Sequence, residues 1–332
     1  VPILRCFLTG IRGHVRASNW AYDMWMRAAI VGCLLGAMLP ACDVVFGLEI
    51  SESDRDRDGV DIELDNCPEI ANHDQLDGDL DLVGDACDLC PGISDDQHDE
   101  DGDGIGDRCD SCPYLADPEG PGPNMDGDDL GDPCDDGPEI DCIAMFDGFG
   151  VESASWDRAA STGTWSIEGD AMVQQATVGE ANLVTVGDFA KPAIELHAIA
   201  TALGGLPRSV GVWGRTASAN TTVMVETIVR NNDPMGLALI STAFMPASNT
   251  LDATSLVPKV TLAAGASILL RFDLRDGANV LARGDVGRST STLQFMFAGP
   301  SGHVGLRTNN TAARFDYLLV VTRSASSTCP PR

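Results

Sequence analysis

Charge in this 332-residue chain is concentrated in one stretch. Residues 51–142 carry 32 acidic and 3 basic side chains, against 3 and 4 in 1–50 and 15 and 14 in 143–332. That block therefore holds the entire net charge of −29. Carboxylates at this density repel one another and leave too little apolar surface for an ordinary core. The block must stay disordered or fold around cations. It is internal, poor in Glu, and punctuated by Gly, Cys and Pro at regular spacing, which favours cations over a disordered tail. The same charge repels nucleic acid and anionic lipid surfaces.

Four twelve-residue windows in the block share a pattern: DRDRDGVDIELD (54–65), DGDLDLVGDACD (77–88), DEDGDGIGDRCD (99–110) and NMDGDDLGDPCD (124–135). Oxygen-bearing side chains stand at positions 1, 3, 5 and 12, and an aliphatic residue stands at position 7. The sets are Asp54, Asp56, Asp58 and Asp65 with Val60; Asp77, Asp79, Asp81 and Asp88 with Val83; Asp99, Asp101, Asp103 and Asp110 with Ile105; and Asn124, Asp126, Asp128 and Asp135 with Leu130. Alternate side chains can converge on one ion, the position-7 carbonyl adds a ligand and position 12 closes the shell, which is the arithmetic of a calcium loop. At least four Ca2+ ions are expected, with affinities of extracellular modules, roughly 10⁻⁴–10⁻³ M. Gly59 and Gly104 at position 6 permit the sharp turn. Leu82 and Asp129 replace them in the other two windows, where weaker binding is expected. Position 12 is Asp rather than the Glu of an EF-hand, and no amphipathic helices flank the loops. The C-x2-C spacings at 87–90 and 109–112 invite a zinc reading, but no histidine accompanies them and the surrounding oxygens suit calcium better.

The windows start at 54, 77, 99 and 124, the near-regular steps of a repeat array. Between them recur NCPEIANHDQ, LCPGISDDQH and SCPYLADPEG, and GD-x-CD closes three windows. Through Asn66–Pro68, Asn72, Gln75 and the aspartates ending at Asp88, residues 54–142 resemble the thrombospondin type 3 repeat. That resemblance implies an irregular structure with calcium ions as its core, sometimes more than one ion per repeat. It also implies sequential disulfides: Cys67–Cys87, Cys90–Cys109 and Cys112–Cys134.

From Met26 the chain reads MRAAIVGCLLGAMLPAC, with one Arg, an apolar stretch and then small residues. The stretch is too short to cross a bilayer as a stable helix and has the anatomy of a secretory signal. LPAC at 39–42 resembles the bacterial lipobox, which implies a signal over 26–41, diacylation of Cys42 and a tether over 42–53; an ordinary cleaved signal is the alternative. Residues 1–25 lack this logic and lie upstream of the expected start. The resemblance places the chain in the cell envelope, touching membrane only through lipid. The outer membrane or cell surface is favoured, with the inner membrane kept open by Asp43. Of eleven cysteines, Cys6 and Cys33 go with the leader. Setting Cys42 aside leaves eight, an even number in an exported chain, which suggests disulfides.

Beyond Cys142 the composition turns nearly neutral and rich in Val, Thr, Ala, Leu and Gly. Short alternating or apolar runs recur between turn signals: TWSIE and AMVQQA, ANLVTVGDF, IELHAIATAL, SVGVWGRT, TTVMVETIV, LALISTAF, SILLRFDLRDG, TLQFMFAG, HVGLRT and ARFDYLLVVT. They predict an antiparallel β-sandwich over 143–332, with hairpin turns at Gly169–Asp170 and Asp276–Gly277. The expected fold is thus mostly β: an irregular, calcium-bound, disulfide-pinned repeat array followed by an antiparallel β-sandwich. MFDGFG (145–150), GTWSIEGDAMVQ (163–174) and GHVGLRTNNTAARFDYLLV (302–320) resemble the opening strand, early hairpin and closing strand of concanavalin A-like or laminin G-like jelly rolls. The first and last strands of that fold lie close together, so Cys142 and Cys329 are expected to join the two ends.

Three functions are compatible with these features. The first is a non-catalytic calcium-binding lipoprotein whose stiffened arm presents a lectin-like sandwich to a glycan or surface protein, an adhesion-type role. The second is a polysaccharide-acting enzyme using carboxylates from Asp157, Glu168, Glu195 or Glu226. The third is a structural spacer and cap. The E-x-D-x-x-E signature of jelly-roll glucanases is absent, its nearest fragment, Glu139–Ile140–Asp141, having Ala144 in place of the second Glu. HExxH and GxSxG are absent too, which favours a non-enzyme. Trp156, Trp165 and Trp213 can form a sugar-stacking face or pack in the core. Arg215 with Asn220, Thr221 and Thr222 can line a polar rim or sit in a solvated loop. His197 and His303 suggest surface or core positions rather than catalysis.

Overall fold

The computed structural model describes residues 53–116, 123–135, 137–218, 221–231, 237–244, 251–257, 262–275, 279–296, 302–326 and 328–330. The expected leader, Cys42, Asp43, Asn220 and the turn at Asp276–Gly277 lie outside them. By compactness the chain divides into residues 1–76 and 77–332, each described by itself.

In the first unit, residues 53–76 form turns and bends around one acidic loop. The second unit opens with three more such loops and then turns to strands. Among the described residues there is no helix. The strands are β1 (Asp141–Asp147), β2 (Trp165–Ile167), β3 (Met172–Gln174), β4 (Glu180–Val184), β5 (Ala193–Leu203), β6 (Arg208–Ser218) and β7 (Thr221–Asn231). They continue as β8 (Leu237–Phe244), β9 (Leu251–Val257), β10 (Ser267–Asp273), β11 (Asn279–Val286), β12 (Ser289–Met296), β13 (His303–Asn309) and β14 (Thr311–Arg323).

Two antiparallel sheets result. One runs β12-β11-β10-β5-β14-β3-β2 with β1 also paired to β14, and the other runs β4-β13-β6-β7-β8-β9. Period-2 alternation decides which side chains face between them. Ile268, Leu270 and Phe272 of β10 point inward with Ile194, Leu196 and Ala198 of β5, and meet Val210, Val212, Val304 and Leu306 from the other sheet in one core. Burying a side chain such as Phe272 stabilises the fold by roughly 2–3 kcal/mol relative to exposure. In β14 a register shift between Phe315 and Tyr317 moves the alternation by one. Phe315, Leu318 and Val320 therefore all enter the core, while Tyr317, Leu319 and Val321 face outward. The Gly169–Asp170 turn joins β2 to β3 with φ of +57° and +52°, the double left-handed geometry of a tight hairpin.

The sandwich fold expected from the sequence is the one formed. Three strands, β1, β9 and β11, fall outside the runs picked out by alternation, and the resemblance at 145–150 reaches only the end of β1. LDATSLV is mostly polar, and NVLARGDV is broken by Arg283, Gly284 and Asp285.

Candidate metal centres

The acidic loops share one backbone design, built from carboxylates that accept main-chain hydrogen bonds. At position 1, Oδ1 takes the N–H of position 4 in all four loops: Arg57 to Asp54 at 2.7 Å, Leu80 to Asp77 at 2.7 Å, Gly102 to Asp99 at 2.8 Å and Gly127 to Asn124 at 2.6 Å. In the first three loops Oδ2 also takes the N–H of position 6, from Gly59, Leu82 and Gly104. Position 3 accepts from position 5, and position 5 from position 7. The aspartates at position 12 accept from a backbone N–H two residues on. These bonds turn the side chains of positions 1, 3 and 5 toward one point. Oxygens of Asp54, Asp56 and Asp58 come within 4.8 Å of one another, as do those of Asp77, Asp79 and Asp81 and of Asp99, Asp101 and Asp103.

A cation fits what these loops leave unsatisfied. Among the described residues, Oδ2 of Asp56, Asp101 and Asp126, position 3 of the first, third and fourth loops, is buried and accepts no hydrogen bond. A buried carboxylate oxygen without a partner is costly unless a charge meets it. Three at equivalent positions make a design rather than an accident. In the second loop the equivalent oxygen, Asp79 Oδ2, accepts the Gly92 N–H at 3.1 Å. All-oxygen sets of this kind suit calcium and would be completed by the position-7 carbonyl.

The sequence reading missed Asp95. Its carboxylate converges with those of Asp81 and Asp88, and its Oδ2 is likewise buried without a partner. The available signal was spacing. Asp95 stands 14 residues after Asp81, as Asn72 stands after Asp58, and both donate a backbone N–H to the earlier aspartate. The motif glutamine sits beside this point. Gln75 Nε2 donates to Asp65 Oδ1 at 2.8 Å and to Asn72 Oδ1 at 2.7 Å. In the next repeat, Gln97 Nε2 donates to Asp88 Oδ1 at 2.7 Å. These amides hold the position-12 carboxylates in place.

The fourth loop differs because position 1 is Asn124. Its single carbonyl oxygen serves Gly127, and its Nδ2 donates to the Asp128 carbonyl at 2.9 Å. The position-6 residue, Asp129, donates its N–H to the Asp141 carbonyl instead. In return, the Asp141 N–H donates to Asp128 Oδ2 at 2.6 Å and that of Ile143 to Asp129 Oδ2 at 3.2 Å. The loop is thereby stitched to β1. Leu130, the position-7 residue, is buried against Ile143, Leu319 and Val321, and Tyr114 stacks on Tyr317 at 5.3 Å. The third loop docks as well. His98 bonds to Asp107 at 2.8 Å, and a Cβ at Gly148 or Gly150 would collide with its ring. Cys90–Cys109, Cys112–Cys134 and Cys142–Cys329 are disulfides, and Cys67 and Cys87 are disulfide-bonded too.

Backbone strain marks one improvable position. Leu82 holds φ at +82°, where Gly59 and Gly104 hold +95° and +96°. A leucine in this region costs roughly 1–2 kcal/mol. Leu82→Gly is expected to tighten calcium binding at the second loop about fivefold, read by calorimetry. Position 4 is left-handed in all four loops, at Arg57, Leu80, Gly102 and Gly127.

The candidate residues of the sandwich are dispersed. Trp156 is buried against Phe149, with Nε1 donating to Asp147 at 2.7 Å. Trp213 is buried, and its ring lies so close over Gly305 that a Cβ there would overlap it. Trp165 tilts against Phe315. Core packing thus accounts for Trp156. Asp157 caps Ala159 and Ala160, and Glu168 accepts from Ser166 and Gln175 on the β2–β3 hairpin. Glu195 is buried, with Oε1 taking the Tyr317 hydroxyl at 2.7 Å and Oε2 taking Arg271 Nε at 2.5 Å. His197 pairs with Asp316 at 2.8 Å and His303 with Asp188 at 3.5 Å. Arg215 lies on β6, and Thr221, Thr222 and Glu226 on β7, where Glu226 stands opposite Trp213.

Residues 41–75 and 76–119 match the family model of the thrombospondin type 3 repeat. These are calcium-binding repeats, and their acidic clusters could hold metal. Comparison with curated protein sequences finds no match. Among solved structures, the legume lectin-like domain from Entamoeba histolytica is similar over 50% of this chain and 89% of its own, at 13% identity and a TM-score of 0.39. A Bacillus licheniformis β-glucanase is similar over 54% and 98%, at 11% identity and 0.40. Carbohydrate-binding module CBM66 from Bacillus subtilis is similar over 51% and 96%, at 13% identity and 0.35.

Proposed function

We propose that the chain is a non-catalytic, calcium-binding protein of the cell envelope, whose metal-stiffened repeats present a lectin-like sandwich to a glycan or surface partner. The reading rests on the buried, unpartnered Oδ2 atoms of Asp56, Asp101 and Asp126, the first two standing in clusters of three converging carboxylates. Calcium would be held by the side chains at positions 1, 3, 5 and 12 and the carbonyls of Val60, Val83, Ile105 and Leu130, with Asp95 added in the second repeat. The ion supplies the compensating charge that an apolar core cannot supply here. Four disulfides fit export, and LPAC at 39–42 fits lipid attachment at Cys42, favouring the outer membrane or cell surface. Glu195 is fully engaged by Tyr317 and Arg271, which suits a structural role better than a catalytic one.

A calcium titration at several pH values tests the reading. Burial, together with the neighbouring charges of Asp103 and Asp110, pushes the Asp101 carboxyl up to about 7. Below that value the carboxyl holds a proton that calcium must displace. Affinity should therefore fall as pH drops from 8 to 6, with protons released on binding near neutrality. The same raised carboxyl means that the metal-free loop loses stability as pH rises from about 4 through 7, because the unfolded chain then binds fewer protons than the folded one. Calcium affinity independent of pH across this range would count against the assignment.

A further inference from the structure

We propose that the cleft between the fourth acidic loop and the outer face of the eight-stranded sheet binds the oxyanion groups, carboxylate or sulfate, of an acidic polysaccharide. This rests on the reading of the chain as a calcium-binding protein that recognises glycan, and it places and specifies the binding site. The cleft measures about 390 Å³. Leu130, Asp135 and Tyr114 contribute one wall, and the outward side chains of β10 and β11 contribute the other.

Two arginines set its chemistry. Arg271 and Arg283 stand directly opposite each other in the β10–β11 register. Like charges in that relation destabilise a sheet. Both side chains are nevertheless almost half exposed, at 44% and 47%. Arg271 reaches Glu195 through Nε, and Arg283 reaches Asp285 through Nε and Nη2. A guanidinium has five donors in a planar fork, so both keep donors for an oxyanion. The third arginine of the cleft, Arg275, is committed to Asp141 and Asp273. Glu195 is committed to Tyr317 and Arg271 and presents no free oxygen. An oxyanion between Arg271 and Arg283 would relieve their repulsion in bidentate fashion. Leu115 and Leu281, 44% and 48% exposed, line the same cleft and offer apolar surface to a sugar ring.

The acidic loop makes this site conditional on calcium. Asp135 is the position-12 carboxylate of the fourth loop and also lines the cleft. Bound calcium would neutralise it along with Asp126 and Asp128, leaving the arginines as the dominant local charge. It would also fix the loop that carries the Leu130 wall. Without calcium the wall is negative, and an anionic ligand is repelled.

The test compares dextran, carboxymethyl-dextran and dextran sulfate, which share one backbone, binding to the full chain in millimolar calcium and in EGTA. At least one anionic form should bind in calcium, neutral dextran should not, and the preferred form identifies the oxyanion. Arg283→Gln, at an exposed position, should weaken binding at least tenfold with an unchanged melting temperature. Arg283→Lys should recover part of the loss, and EGTA should abolish binding. Equal binding of neutral dextran, no binding of either anionic form, unchanged affinity in Arg283→Gln, or binding that persists in EGTA would each overturn the proposal. If hydrogen exchange shows calcium ordering the loops while no anionic dextran binds, the cleft assignment falls and the calcium reading stands. If calcium orders nothing, the calcium reading falls as well.

Discussion

Transfer of the protein into EGTA should raise amide exchange across residues 54–135 by at least tenfold, while the central strands β5, β10 and β14 keep their protection. The loops have no core of their own: Leu64, Leu80, Leu82 and Met125 are 80%, 80%, 83% and 90% exposed. Their order comes from backbone N–H groups held by carboxylates, and those carboxylates repel one another strongly enough to help carry Asp101 to about 7. Remove the ion and the same groups drive the loops apart, with disulfides limiting the expansion. The strands instead share an apolar core independent of calcium. One strand should respond at its edge. The N–H groups of Asp141 and Ile143 donate to Asp128 and Asp129, so the start of β1 is expected to lose protection with the fourth loop. Unchanged exchange over 54–135 would show that calcium is not the organising element.

The second large effect is expected from Cys142→Ser with Cys329→Ser. This disulfide spans a sequence separation of 187 and closes the sandwich where β1 pairs with β14. Constraining so long a loop in the unfolded chain is worth up to roughly 5 kcal/mol. For a domain of this size, that corresponds to a fall in melting temperature of about 10–20 °C, measured in saturating calcium. The pairing of Cys142 with Thr322 and Phe146 with Leu319 leaves the native strand in place, so the fold should persist below the new transition. A shift under about 2 °C would mean that the unfolded chain gains little freedom when the link is cut.

The aspartate spacing made the loops legible because a calcium loop must place oxygen at fixed intervals. Asp54, Asp56 and Asp58 converge within the first unit, as do the first three aspartates of the second and third loops. The left-handed backbone at position 4 was hidden because Arg57 and Leu80 occupy it in two loops, and neither residue signals positive φ. Asp95 was hidden because its role depends on the chain returning 14 residues after Asp81, a tertiary fact. The stitching of the fourth loop to β1 runs through Asp128 and Asp129, and it appears only when Asp141 and Ile143 lie alongside. In the sandwich, alternation found the strands with clean inward and outward faces. It missed β11, whose outward side chains include the two charged groups that form ion pairs, Arg283 and Asp285.

If the position-3 carboxylates are calcium ligands, removing them removes bound ions. Equilibrium dialysis at about 10 mM calcium, well above the roughly 10⁻⁴–10⁻³ M affinity of such modules, measures this directly by ion count per chain. At least four bound calcium ions are expected for the intact protein, one for each acidic loop. The variant carrying Asp56→Ala, Asp101→Ala and Asp126→Ala is expected to bind three fewer. A chain that binds no calcium, or a triple variant that binds as much as the parent, would contradict calcium ligation by these carboxylates.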